Sequence, residues 1–105
     1  MITVTFDAEN MDLTIKGHAG VDYNGYDPVC SGISALFYTL CNAVTDSEHM
    51  FQGEPVLVVD HGDGRVQCKP KKEYESAVQM IFWTILEGID LMANCYPENV
   101  ELISK

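Results

Sequence analysis

Positive charge is what this chain has least of. Its 105 residues carry six Lys and Arg against sixteen Asp and Glu, a formal net charge of −10 at pH 7. Nucleic-acid binding draws most of its affinity from Lys and Arg on phosphates. The one basic cluster is Lys69-Pro70-Lys71-Lys72, so no nucleic-acid partner is expected. An acidic surface favours basic partners and speeds their encounter, or simply keeps the protein soluble. The N-terminal stretch Met1-Ile2-Thr3-Val4-Thr5-Phe6-Asp7 has neither the basic start nor the long apolar segment of a signal peptide. No unbroken apolar run reaches the ~20 residues that span a bilayer. A cytoplasmic protein without membrane contact is therefore expected.

Metal-binding spacing is also missing. Cys30, Cys41, Cys68 and Cys95 include no C-x₂-C pair, and His18, His49 and His61 stand in unrelated contexts, which argues against structural zinc. A reducing compartment argues against disulfides. No metal and no cofactor is expected. Without linkers, repeats or low-complexity segments, the length fits one domain over residues 1–105.

What is there is ordered by period. Ile2 to Phe6 and Met11 to Ile15 alternate apolar with polar residues around Glu9-Asn10, which predicts a β-hairpin. Ile2, Val4 and Phe6 share one face of the first strand, and Leu13 and Ile15 another. After the Gly-rich segment Gly17 to Asp27, Ile33, Leu36, Phe37, Leu40, Cys41 and Val44 recur at helical spacing. Asp27 suits that helix's N-cap and Pro28 its first position. Pro55 to Val59 and Arg65 to Lys69 flank Asp60-His61-Gly62-Asp63-Gly64, which predicts a second hairpin. A second helix runs from about Lys72 to Tyr96, with Val78, Ile81, Phe82, Ile85, Ile89, Met92 and Ala93 as its apolar stripe, and Pro97 stops it. Gly88 inside it suggests close approach of another element. Val100 to Ile103 is a possible last strand. The order ββαββαβ predicts an α+β fold, a mixed, mainly antiparallel sheet with two packed helices.

Chemistry concentrates at Gly17-His18-Ala19-Gly20 and Asp27-Pro28-Val29-Cys30-Ser31. With Asp27 as N-cap, Cys30 is the third helical residue. The free N–H groups of a first helical turn carry partial positive charge, which stabilises a thiolate and can bind the oxyanion of a tetrahedral intermediate. His18, at the end of the second strand, reaches the thiol as general base if the loop folds back. Asp27 has two available roles. As a cap it accepts from the N–H of Val29 or Cys30; as an orienter it holds the His18 ring. Cys41 belongs to the apolar stripe. Cys68, Cys95, His49 and His61 have no comparable setting, and Trp83 suits packing or a subunit contact.

Gly17-His18-Ala19-Gly20, then Gly25, then Asp27-Pro28-Val29-Cys30-Ser31-Gly32-Ile33-Ser34-Ala35-Leu36 resembles the signature of the ribosomal-processing cysteine protease (Prp) family. That pattern is G-H-A, a short Gly-containing loop, then D-[IL]-V-C-[AS]-[AG]-[VI]-S. The resemblance implies a cysteine endopeptidase that removes the N-terminal extension of ribosomal protein L27. It places the nucleophile on Cys30, the base on His18, and supporting roles on Asp27 and Ser34. It makes the segment with Gly17, Ala19, Gly20, Tyr23, Gly25 and Tyr26 the loop that closes over substrate, and it implies a homodimer. Two rival readings are a non-catalytic acidic module that docks a basic ribosomal partner, and a thiol acyl hydrolase or transferase. Pro28 departs from the pattern: it stands where an aliphatic residue is usual and removes one N–H from the helix start.

Overall fold

The computed structural model describes residues 1–18, 20, 27–60 and 62–105. Strands β1 (Ile2–Asp7) and β2 (Asp12–Gly17) lead to helix α1 (Pro28–Asp46). Strands β3 (Val56–Asp60) and β4 (Asp63–Gln67) lead to helix α2 (Glu75–Cys95), and β5 (Val100–Ser104) ends the series. The five strands form one sheet in the order β3-β4-β2-β1-β5. β5 lies parallel to β1 and every other pair is antiparallel, so the sheet is mixed as expected.

The first hairpin is set by its turn. The Asp7 carboxylate accepts from the backbone N–H groups of Glu9 and Asn10 and from the Asn10 side chain. These bonds, the side-chain one foremost, hold the Asp7 carboxyl below its ordinary value. Met11 closes the turn at φ +47° and is buried, so the second strand begins one residue later than the alternation suggests. The pairs Val4↔Ile15 and Phe6↔Leu13 stand directly opposite. The apolar sets of the two strands therefore share one sheet face. Alternation within a strand fixes its own two faces, but only the turn fixes which of them meets the neighbour's.

Both helices cover that face. α1 buries Val29, Ile33, Phe37, Leu40, Cys41 and Val44, and α2 buries Val78, Phe82, Ile85 and Ile89. Phe82 stacks on Phe6 with ring centroids 5.7 Å apart. A β-carbon at Gly88 would lie 2.6 Å from Leu36 Cδ2, so Gly88 is where α1 and α2 draw close. A 3₁₀ turn at Lys72–Tyr74 precedes α2, so the α-helix proper begins at Glu75, three residues after the expected start near Lys72. By length and composition, Pro28–Asp46 and Lys72–Cys95 also meet the test for a membrane span, each with mean hydropathy 1.2. Here both lay an apolar stripe on a sheet, the arrangement of core helices.

Candidate functional site

The expected N-cap forms. Asp27 adopts extended backbone, Pro28 takes the first helical position, and Asp27 Oδ1 accepts from the N–H groups of Val29 and Cys30, each at 3.0 Å. Cys30 thus sits in the first turn of α1, half-buried. The cap has a second consequence. Pro28 has no N–H, Val29 and Cys30 donate to the Asp27 carboxylate, and Ser31 N–H donates to Asp27 O at 3.0 Å. The expectation that the helix start offers spare donors for an oxyanion is corrected: in this arrangement Asp27 takes them, those of Val29 and Cys30 through its carboxylate and that of Ser31 through its carbonyl. The carboxylate also sets a negative charge beside the thiol, opposing the helix dipole.

His18 follows the end of β2, and the backbone there is held from two sides. Gly17 N–H donates to Asp63 Oδ1 at 3.1 Å. The Met1 ammonium donates to His18 O at 2.5 Å. Gly17 has φ +95°, and a β-carbon on it would collide with the Met1 carbonyl, so glycine is required at that turn of the chain. The imidazole rests against Gly62 of the β3–β4 turn: a β-carbon at Gly62 would lie 2.8 Å from His18 Cε1.

These elements enclose a cavity of about 130 Å³ at one end of the sheet. His18, Cys30, Ser34 and Gly17 all line it, with an apolar wall that includes Ile33, Phe37, Tyr38 and Val59. Ser34 lies four residues after Cys30 on the same face of α1, one turn on. The structure thus brings four of the expected site residues to one cavity, while Asp27 acts as the cap of the helix that carries Cys30. Gly20 is described with φ +76°. Ala19, Tyr23, Gly25 and Tyr26 lie outside the described residues, as does His61.

The other cysteines are set apart by burial. All four are thiols. Cys41 and Cys68 are buried, and desolvation pushes both upward, Cys68 to about 11. Both therefore stay protonated at neutral pH. Cys95 is exposed at the end of α2, away from the cavity. His49 packs edge-on against Tyr74 at 5.6 Å. Among the described residues, no three His, Cys, Asp or Glu side chains gather as metal ligands do. The wall that the sequence did not disclose is the second hairpin, with Val59, Gly62, Asp63 and Gly64. The turn composition of Asp60 to Gly64 marks a turn but says nothing of what it packs on.

The sequence model of the cysteine protease Prp family matches residues 1–101. A ribosomal processing cysteine protease Prp of Staphylococcus aureus is 27% identical over 101 residues, covering 96% of this chain and 92% of that protein. The crystal structure of the S. aureus Prp with a covalently linked product peptide superposes with a TM-score of 0.81 at 26% identity. The same protease with a substrate peptide gives 0.72 at 27% identity. In both, all of this chain and all of the other are covered.

Proposed function

The chain belongs to the cysteine protease Prp family, and from that premise we propose that it is a ribosomal-processing endopeptidase acting through Cys30 and His18. The observation that carries this reading is the convergence of those two side chains on one cavity, with Cys30 in the first turn of α1. His18 takes the thiol proton as Cys30 Sγ attacks the scissile carbonyl and forms the S–C bond. The C–N bond then breaks as His18 returns the proton to the leaving amine. Water, deprotonated by His18, hydrolyses the thioester and restores the thiol. Ser34, one turn along α1, supports the site from the same wall. While Asp27 keeps the N–H groups of Val29 and Cys30, the oxyanion takes donors from elsewhere, or the cap opens as substrate enters.

The proposed substrate is the N-terminal extension of ribosomal protein L27. The related S. aureus protein is named for ribosomal processing, and a protein of net charge −10 suits a basic ribosomal partner. The segment from Ala19 to Tyr26 is proposed to close over the peptide. We also propose a cytoplasmic homodimer. Met80, Trp83 and Leu91 stand half or more exposed along one side of α2, and large exposed apolar side chains grouped on a face mark contact sites. The test of the nucleophile is alkylation with iodoacetamide followed by mass mapping. Cys30 is expected to react first, its modification tracking loss of peptidase activity; activity surviving full modification of Cys30 overturns the assignment.

A further inference from the structure

β3 is an edge strand, and its free side leads into the candidate site. Among the described residues it pairs only with β4, while Val59 near its end lines the cavity shared by His18 and Cys30. Three consecutive apolar side chains stay uncovered: Leu57 is 40% exposed, Val58 46% and Val59 54%. Native proteins usually blunt such an edge with a charge, a proline or a covering element. Here Pro55 precedes the strand and Asp60 ends it, and the stretch between is bare.

The register says which backbone groups are available. Asp60 pairs with Asp63 across a two-residue loop, so that pair exchanges both hydrogen bonds and pairing alternates from there. Val58 and Val56 therefore turn their N–H and C=O groups toward β4. Leu57 and Val59 turn theirs away from it, toward the free edge. Leu57 and Val59 also stand opposite Val66 and Gly64, which puts their side chains on the helix-covered face, where Phe37 lies over Gly64.

We propose that the substrate chain flanking the scissile bond docks as a sixth strand on β3, hydrogen-bonded to the backbone of Leu57 and Val59. Its alternate side chains enter the apolar wall of Ile33, Phe37, Tyr38 and Val59. Strand addition gives affinity through main-chain bonds and selectivity through pockets for every second side chain. The occupant is an extended peptide because the strand runs directly into a cavity that holds a protease's nucleophile and base, and this inference rests on the peptidase reading above.

The test uses the wild-type protein and peptides spanning the L27 extension junction, N-methylated at one backbone position at a time. N-methylation removes a donor without changing the side chain. On the docked side of the scissile bond, cleavage should fall about tenfold at every second position and little at those between. In parallel, Leu57→Pro removes an edge-facing donor and leaves the β3–β4 ladder bonds in place; it should raise KM about tenfold with kcat little changed. Loss without alternation along the peptide overturns the strand-addition proposal while leaving the peptidase reading intact. A Leu57→Pro protein that cleaves normally but changes its oligomeric state assigns the edge to a second copy, and also overturns it. Failure to cleave the unmethylated peptide sinks the peptidase reading and this proposal with it. If Leu57→Pro does not fold, the methylated series alone decides.

Discussion

Asp27 is the residue whose role the structure sharpens most. It binds two N–H groups of the first turn of α1 and sits beside the proposed nucleophile with a negative charge. Replacing Asp27 with Ala should cost about 1 kcal/mol and lower Tm by about 4–8 °C, read by thermal unfolding. The same change frees the N–H groups of Val29 and Cys30 and removes the nearby charge. The Cys30 pKa should therefore fall, measured as the pH dependence of its alkylation rate; a rise would assign Asp27 a role beyond capping. Cys68 offers a second prediction at this scale. Burial raises its thiol from the ordinary 9.0 to about 11. Between those values the unfolded chain loses the proton and the folded chain keeps it, so the contribution is intact below pH 9 and declines as pH rises toward 11. Denaturant unfolding at pH 8.5 and at ~10.5 should show a steeper alkaline loss for the wild type than for Cys68→Val.

Among the elements, α1 was the most legible in the sequence, because Asp27-Pro28 and the apolar stripe are local signals that agree with each other. The strands themselves were legible for the same reason. Their relation was not: the common face of β1 and β2, and the parallel placement of β5 beside β1, depend on turn geometry and on long-range closure that no local period encodes. The site was legible in part for a matching reason. His18, Cys30 and Ser34 fall within one short motif, whereas the wall formed by Val59, Gly62, Asp63 and Gly64 comes from a hairpin distant in sequence. Gly64 shows what that hairpin demands. A β-carbon there would lie 2.5 Å from Phe37 Cζ and 2.8 Å from Cε2, and Phe37 is itself buried between α1 and the sheet. Gly64→Ala should cost about 1–3 kcal/mol through overpacking and should reduce activity further by displacing the ring that lines the cavity. Unfolding curves and kcat/KM on one protein preparation check both effects.

At the scale of the whole molecule, one sheet face is covered by two helices and the other is open, and the outer side of α2 carries three large exposed apolar side chains among polar ones. Met80, Trp83 and Leu91 are 62%, 50% and 63% exposed, more than a solvent-facing helix needs. The proposed homodimer should appear as such in light scattering, and Trp83→Glu should shift it toward monomer with the thermal unfolding of the chain retained. A wild-type protein that stays monomeric at tens of micromolar would contradict that assembly. The charge of −10 belongs to this scale too, since it acts through the summed field of the surface.

The central claim is that Cys30, held at the start of α1 and lining one cavity with His18, is the nucleophile of a peptidase. Its most direct test is incubation of a peptide spanning the L27 extension junction with wild-type protein and with Cys30→Ala, followed by mass spectrometry. The account predicts one cut by the wild type, releasing the extension, and no cut by a Cys30→Ala protein whose unfolding curve matches the wild type. Cleavage at the same bond by folded Cys30→Ala would contradict it.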